Sequence, residues 1–138
     1  MYLIDTNVIS EMRKRERADK GVRAFFRQAA KQERELYLSV VTVGELRRGV
    51  ELIQHRGDHA QGALLATWLD TVLHEFGAHI LAVDAEIGQL WGRLRVPHAE
   101  HALDKLIAAT ALIHDLTVVT RNVSDFAGTG VRVLNPFE

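Results

Sequence analysis

The sequence predicts an α/β protein built on a central parallel sheet that helices cover on both faces. Short runs of apolar and β-branched residues alternate along the chain with segments whose apolar residues recur at helical spacing. Such an alternation implies crossover connections, and these join parallel strands. The first run, residues 2–4, is apolar throughout, as expected of a strand buried on both faces. With 138 residues, the chain 1–138 is predicted to form one domain.

In the first half of the chain we expect strand, helix, helix, strand and helix. The strand of residues 2–4 ends at Asp5, and a short helix and a charged connector then lead to Asp19, which is suited to cap the next helix. That helix has apolar residues at i, i+3, i+4 and i+7, namely Val22, Phe25, Phe26 and Ala29. Residues 36–41 form the second strand. The T-x-x-E pattern of residues 42–45 is expected to cap the helix that follows.

In the second half we expect a loop over residues 54–61, followed by three helices and three strands. The first of these helices ends at Gly77, since glycine is favoured just past a helix C-terminus. Asp84 caps the next helix, which ends before Pro97. A helix of small residues covers 103–114. The remaining strands are predicted at residues 79–83, 116–120 and 131–134.

The composition is that of an ordinary globular protein. Hydrophobic residues make up 47% and charged residues 25% of the chain, and the formal net charge of -1 gives no indication of a nucleic-acid partner. The absence of cysteine excludes disulfides, thiolate metal sites and cysteine nucleophiles. No apolar run approaches the roughly 18 residues of a membrane span, and the N-terminus lacks a signal pattern. We therefore expect a soluble, cytoplasmic protein with no membrane partner.

Acidic residues recur where the predicted strands end. Asp5 follows the first strand, Glu45 lies at the start of the helix after the second, and Asp125 comes shortly after the fourth. They therefore share the carboxyl edge of the sheet, where ligands collect in open α/β sheets. Asp104 lies on the same helical face as residues that must be buried, so it is expected to point inward. Asp5 and Glu45 could each instead serve as helix caps, at a gain of about 1 kcal/mol.

If these four acids share one pocket, their mutual repulsion exceeds any gain from capping. Two unit charges about 4 Å apart repel by about 4 kcal/mol at an effective dielectric constant of about 20. A cation must then offset the repulsion. With oxygen ligands and no cysteine, the suitable ions are Mg²⁺ and Mn²⁺.

Four segments of the chain resemble PIN-domain nucleases of the VapC toxin type. They are Leu-Ile-Asp-Thr-Asn-Val at 3–8, Gly-Glu-Leu at 44–46, Leu-Asp-Lys-Leu-Ile-Ala-Ala-Thr-Ala at 103–111 and Thr-Arg-Asn-Val-Ser-Asp-Phe at 120–126. Their order and spacing match that family over essentially the whole chain. The Asp-Thr-Asn-Val-Ile-Ser-Glu opening and the Arg-Asn-Val-Ser-Asp-Phe segment are most similar to its FitB-like branch.

The resemblance implies a three-layer α/β/α PIN-like fold whose parallel sheet has about five strands in the order 3-2-1-4-5. It implies an endoribonuclease that depends on Mg²⁺ or Mn²⁺ and hydrolyses RNA phosphodiester bonds with a metal-activated water. Such a nuclease is the toxin component of a type II toxin-antitoxin system. The implied partners are a cognate VapB-type antitoxin, a second copy of the chain in a homodimer, and an RNA substrate such as a transfer RNA or ribosomal RNA loop.

The same resemblance assigns roles to individual residues. The catalytic and metal-binding acids are Asp5, Glu45, Asp104 and Asp125. Thr120 and Asn122 match the polar catalytic residues beside the site, and Thr6 and Arg121 are assigned to substrate binding. Lys105 has no place in the motif and is expected to face solvent.

Three other interpretations are open. An aspartyl phosphatase of the haloacid dehalogenase type also begins with a strand and an Asp, but it needs a second acid two residues on, where this chain has Asn7. A non-catalytic PIN-like module would bind nucleic acid or protein without needing the full acidic set. Two histidine pairs, His55 with His59 and His98 with His101, have spacings that would bind a metal on a helix. Both pairs are expected at the surface, in or beside loops.

Overall fold

A computed structural model, which describes residues 1–138, shows strands alternating with helices along the chain. The strands are β1 (Tyr2–Ile4), β2 (Leu36–Ser39), β3 (Ile80–Leu81), β4 (Thr117–Val119) and β5 (Val133–Leu134). The helices are α1 (Thr6–Met12), α2 (Lys20–Lys31), α3 (Val40–His55), α4 (His59–Phe76), α5 (Ala85–Leu94) and α6 (Ala102–His114). Short 3-10 turns lie at Arg15–Arg17, Gly77–His79 and Val123–Phe126. No helix combines the length and the apolar character needed to cross a membrane.

The five strands form one parallel sheet in the order β3-β2-β1-β4-β5. β1 lies at its centre, where Tyr2 is in register with Leu36 of β2 on one side and with Thr117 of β4 on the other. The predicted fold class and strand order are confirmed. Because the strands are parallel, the residues that follow β1, β2 and β4 meet at the middle of one edge.

Helices cover both faces of the sheet, as the apolar run in β1 predicted. Successive strand residues point to opposite faces. Leu3 and Ile4 are both fully buried, and they belong to two different apolar clusters. Ile4 packs with residues of the first four helices, such as Val8 and Leu69, whereas Leu3 packs with α6 through Ile107. Burying each of these side chains contributes about 1.5–3 kcal/mol, so β1 is anchored in both layers.

Helix α3 begins three residues earlier than the sequence predicted, and the predicted capping box of residues 42–45 is wrong. The actual cap is Ser39, whose hydroxyl accepts the N–H of Val41 at 3.0 Å. The second strand therefore ends at Ser39, because the Ser39 hydroxyl provides an acceptor for a free N–H group in the first turn of α3. Thr42 is fully buried within the first turn of α3, and Glu45 lies in the second turn.

The loop predicted over residues 54–61 is also wrong, because α3 continues to His55 and α4 begins at His59. The chain reverses direction in the three residues between them. Gly57 has a φ of +89°, a conformation that side chains disfavour. Asp58 then caps α4 by accepting a backbone N–H of its first turn. The positive φ of Gly57 and the cap at Asp58 therefore allow a three-residue turn where the sequence predicted a longer loop.

Other helix boundaries follow the prediction. Asp84 caps α5 by accepting the N–H of Ile87 at 2.9 Å. Gly77 follows α4 with a φ of +47°. The third strand, predicted over 79–83, covers only Ile80–Leu81, because His79 belongs to the preceding turn and β2 ends at Ser39, opposite Leu81.

The C-terminal segment returns to the start of α2. Asp19 caps α2 by accepting the N–H groups of Gly21 at 2.8 Å and Val22 at 3.1 Å, and the same oxygen accepts the N–H of Glu138 at 3.1 Å. Gly21 lies directly beneath this segment. A Cβ at that position would lie 2.0 Å from the carbonyl oxygen of Pro136, which is far inside van der Waals contact.

Replacing Gly21→Ala is expected to lower the free energy of unfolding by more than about 1 kcal/mol, because a backbone oxygen cannot move aside without detaching the C-terminal segment. The matched control is Gly88→Ala in α5, where nothing lies within 4 Å of the added methyl group. This control is expected to gain about 0.5–1 kcal/mol from the better helix propensity of alanine. Urea denaturation followed by circular dichroism measures both values. Equal gains in the two variants would contradict the docked C-terminus.

Candidate metal centre at the carboxyl edge of the sheet

Asp5 is the buried centre of the site. It follows β1 directly, and the residue is only 3% exposed. One carboxylate oxygen accepts the N–H of Thr6 at 2.8 Å and so caps α1. The other oxygen accepts from Nδ2 of Asn7 at 3.2 Å and from the Thr120 hydroxyl at 2.8 Å. Burial raises the pKa of Asp5 above its usual value, while these hydrogen bonds act to lower it.

Thr120 links Asp5 to the end of β4. Its hydroxyl donates to Asp5 and accepts from Nδ2 of Asn7 and from the backbone N–H of Asn122, both at 3.1 Å. These three bonds use the full capacity of a hydroxyl group. Asn7 accepts the N–H of Arg121 at 3.0 Å through Oδ1. The segment after β4 is therefore fixed to the carboxylate through side chains, while the side chain of Asn122 stays exposed.

Glu45 reaches the site from the second turn of α3. Its Oε1 accepts the hydroxyl of Thr6 at 2.8 Å, and the Thr6 oxygen also lies 3.2 Å from the hydroxyl oxygen of the buried Thr42. Thr6 therefore joins the start of α1 to α3 and orients the Glu45 carboxylate. Its hydroxyl, which the sequence assigned to substrate binding, is held by these two groups in the structure.

Asp104 and Asp125 complete the acidic group, and His101 lies between them. Asp104 is in the first turn of α6, and Asp125 is in the turn that follows β4. Nδ1 of His101 is 3.8 Å from Oδ2 of Asp104 and 3.8 Å from Oδ1 of Asp125. One ligand atom from each of the three residues lies within 4.8 Å of the others.

The carboxylates act on one another electrostatically. The pKa of Asp104 is raised to about 6, first by burial and then by the negative charges of Asp5 and Asp125. His101 opposes the rise, and Glu45 adds to it. The structure thus brings together four acids that come from four distant segments of the chain.

Lys105 is not where the sequence led us to expect it. It is 8% exposed, and its Nζ donates a hydrogen bond to the carbonyl oxygen of His98. The expectation that it faces solvent is wrong, because the chain before α6 folds over the first turn of that helix and supplies an acceptor for the ammonium group. His98 itself stays at the surface, where its Nδ1 is 3.6 Å from Glu100.

His101 was considered in the sequence only as a partner of His98. Its actual neighbour is Asp104, three residues later, with Asp125 across the site. The spacing of His101 and Asp104 at the start of a helix was the available signal, since residues three apart lie on the same helical face. The approach of Asp125 left no trace in the sequence.

Other titratable residues lie outside the acidic group. The guanidinium of Arg121 packs over the Phe137 ring at 4.4 Å and forms no ion pair with any of the four carboxylates. Asp84 lies three residues past the end of β3, at the margin of the sheet, where it caps α5. His55 and His59 lie at the ends of α3 and α4, away from the cluster.

Two concave regions flank the carboxylates. On one side lies a cleft of about 260 Å³ that begins at Thr6 and Glu45. Its other lining residues include the basic Arg13 and Arg56 and the apolar Trp68. On the other side, a cavity of about 320 Å³ is lined by residues that include His101, Lys105 and Asp125. The acidic group therefore lies between two depressions that both carry basic residues.

The donor set fits a hard divalent cation. The four side chains offer carboxylate oxygens, the ligands that Mg²⁺ and Mn²⁺ prefer. Neither Lys nor Arg forms an ion pair with them, and His101 is the one basic side chain within 4 Å. A bound cation would supply the missing positive charge.

Comparison with known proteins identifies the family. Residues 2–130 match the model of the PIN domain. The chain belongs to the PIN-domain family. The PIN domain is 34% identical to Toxin FitB of Neisseria gonorrhoeae, covering 99% of both chains, and 33% identical to a VapC ribonuclease of Sinorhizobium fredii, covering 100% of this chain and 99% of the relative. The solved structure of FitAcB from Neisseria gonorrhoeae aligns with a TM-score of 0.85 and 35% identity, over 99% of this chain and 98% of that one. The resemblance stated from the sequence is confirmed.

The raised pKa of Asp104 predicts that the metal-free PIN domain loses stability as the pH rises. The carboxyl group titrates near 3.8 when unfolded and near 6 when folded, so in between the folded state keeps a proton that the unfolded state releases. The free energy of unfolding therefore falls from about pH 4 to about pH 6, by about 1–2 kcal/mol after allowance for solvent screening. Above about pH 6 the folded state has lost this proton as well, so the contribution of Asp104 to the free energy of unfolding does not return.

Urea denaturation in the presence of a chelator, at several pH values, measures this slope. Asp104→Asn is expected to flatten it and to be more stable than the parent at about pH 8, because one of the crowded charges is gone. Asp84→Asn removes an acid at the same edge but outside the cluster, so it should keep the parental slope. If Asp104→Asn keeps the parental dependence of the free energy of unfolding on pH, Asp104 is not the group responsible for it.

Proposed function

We propose that this PIN domain is an endoribonuclease that depends on Mg²⁺ or Mn²⁺, and that it is the toxin component of a type II toxin-antitoxin system. The observation that carries the proposal is the gathering of four carboxylates at one edge of the sheet, where Asp104 feels the charges of the other three and His101 is the one basic side chain within 4 Å. The relatives named Toxin FitB and VapC ribonuclease support the toxin role and the ribonuclease activity.

The acids would hold the metal in unequal ways. Asp5 would be the central ligand, Glu45 and Asp104 would hold the same ion, and Asp125 would help to recruit a second. When bound, the metal supplies an activated water at neutral pH and counters the charge on the attacking and leaving oxygens of the phosphodiester.

The surrounding polar residues keep the acids ready to bind. Burial raises the pKa of Asp5, and the hydrogen bonds from Thr120 and Asn7 oppose that rise because they favour the charged carboxylate. Thr6 holds the Glu45 carboxylate in place. Asn122 is exposed beside Thr120, where its amide would orient a water or a phosphate oxygen.

The RNA would lie across the two depressions beside the acids. Arg13 and Arg56 line the cleft next to Glu45, and a guanidinium group is suited to forked contacts with phosphate. Arg121, at the rim, would contact a phosphate farther from the cleaved bond. An open site of this kind suits single-stranded RNA with exposed phosphates, such as a transfer RNA or ribosomal RNA loop.

We further infer a cognate VapB-type antitoxin, a homodimeric toxin and a cytoplasmic location. A nuclease that is toxic to the cell that makes it needs restraint from another molecule, and the similarity to Toxin FitB and to the solved FitAcB structure supports such a partner.

The catalytic role of Asp5 predicts that Asp5→Asn lowers RNA cleavage by at least about 100-fold, because it removes the charge of the central ligand. Asp84→Asn is the matched control: this acid also follows a strand at the same edge, yet it only caps α5. Cleavage of labelled single-stranded RNA with Mn²⁺, and with chelator, measures both. Parental rates in Asp5→Asn would refute the assignment. A melting temperature that rises with Mn²⁺ while no RNA is cut would favour a non-catalytic binding module.

The toxin role predicts that expressing the chain alone arrests growth. Co-expression of the neighbouring small open reading frame should relieve the arrest, whereas Asp5→Asn should not arrest growth at all. Culture density is measured together with the amount of soluble protein. Normal growth in the presence of soluble parent protein would count against a toxin.

A further inference from the structure

We propose that His101 is an additional metal ligand for the ion that Asp125 recruits, which it binds through Nδ1 together with Asp104 and Asp125, and that it makes this position prefer a first-row transition ion such as Mn²⁺ over Mg²⁺. The inference rests on the metal dependence in the proposed function and specifies the ion. A ligand set of carboxylates alone would not distinguish the two ions in this way.

The geometry of the three side chains is close to that of a shared ion. Metal–ligand bonds of about 2.1 Å place neighbouring ligand atoms about 3.0 Å apart and opposite ones about 4.2 Å apart in an octahedron. Nδ1 of His101 lies 3.8 Å from one oxygen of each carboxylate, and the three ligand atoms lie within 4.8 Å of one another. Shifts of a few tenths of an ångström in flexible side chains would therefore complete the coordination.

The same distances exclude direct hydrogen bonds. At 3.8 Å, Nδ1 is too far from either oxygen to donate to it, since N–H···O bonds span about 2.7–3.2 Å. The imidazole faces two carboxylates from two different elements without bonding to either. An atom placed between the three groups would contact all of them.

The backbone around His101 holds the imidazole at the mouth of the site. His101 is the N-cap residue of α6, but its side chain makes no capping hydrogen bond, although Ser, Thr, Asp and Asn are the usual residues there. Its carbonyl oxygen accepts the N–H of Lys105 at 2.9 Å, and the Lys105 side chain bonds to the carbonyl of His98. The side chain is thus free to bind, while the chain on both sides of it is fixed.

An imidazole nitrogen changes which ion the site favours. Both Mg²⁺ and Mn²⁺ bind carboxylates, but Mg²⁺ keeps to oxygen ligands and waters, whereas first-row transition ions, increasingly from Mn²⁺ to Co²⁺, also bind an imidazole nitrogen. One histidine among carboxylates should therefore strengthen the binding of Mn²⁺ or Co²⁺ and leave Mg²⁺ little affected.

The test uses the metal-free full chain loaded with Mn²⁺, with no RNA and no activity assay. Pulsed electron paramagnetic resonance detects an imidazole nitrogen bound to Mn²⁺, and calorimetry measures affinity for Mn²⁺ and for Mg²⁺. The parent should show the nitrogen signal. His101→Ala should lose the signal and bind Mn²⁺ at least about tenfold more weakly, with Mg²⁺ affinity changed by less than about threefold.

His98→Ala is the matched control, because this histidine is three residues away and lines the same cavity without facing the two acids. It should retain the signal and both affinities. His101→Asn serves as a second variant if the alanine variant folds poorly, and the signal in the parent needs no variant at all.

The outcomes separate this inference from the proposed function. Parental Mn²⁺ binding without an imidazole signal, or unchanged or tighter binding in His101→Ala, would overturn the ligand role and leave the carboxylate site intact; in that case His101 only offsets the acidic charge. Failure of the parent to bind either ion would overturn the metal-dependent function as well.

Discussion

The structure depends on keeping a carboxylate that is almost wholly removed from water. Burial alone would drive Asp5 toward its neutral form, and the bonds from Thr6, Asn7 and Thr120 oppose that effect. These bonds come from the start of α1 and the end of β4, so the group that terminates the central strand also ties two neighbouring elements to it. Disturbing this network would affect the fold and the site together.

The acids crowded around Asp5 repel one another, so the arrangement that suits metal binding lowers the stability of the fold. Asp104 and Asp125 approach from α6 and from the turn after β4, and the pKa of Asp104 rises to about 6 because it is buried beside like charges. A protein selected for stability alone would not assemble such a group. Strain of this kind is typical of functional sites, where a ligand relieves it. The rigid sheet and its two covering layers tolerate the cost, since β1 is anchored on both faces.

The segment before α6, residues 98–101, positions two of the side chains beside the acids. It carries His101 toward two of the acids and covers Lys105, whose ammonium group bonds back to the same segment at His98. A short stretch of irregular chain thereby supplies a candidate nitrogen ligand and the carbonyl acceptor that holds the buried ammonium group of Lys105 in α6.

Local signals in the sequence determined the strand and helix alternation, the acids at the strand ends and the caps at Asp19, Asp84 and Gly77. Each of these depends on residues adjacent in the chain, where propensity and hydrogen bonding to the nearest backbone decide the outcome. The start of α3 was misjudged because Ser39 and residues 42–45 offered competing caps. Ser39 caps the helix, while the hydroxyl of the buried Thr42 lies 3.2 Å from the hydroxyl oxygen of Thr6.

Tertiary structure alone decided which side chains meet across the site. The 3.8 Å approach of His101 to Asp125, the burial of Lys105 and the stacking of Arg121 on Phe137 each join residues whose relative positions depend on how whole elements pack. No local pattern carries that information, because a side chain's partner across the fold is set by the three-dimensional path of both segments. The sequence therefore determined where the acids would gather, and the folded chain determined what surrounds them.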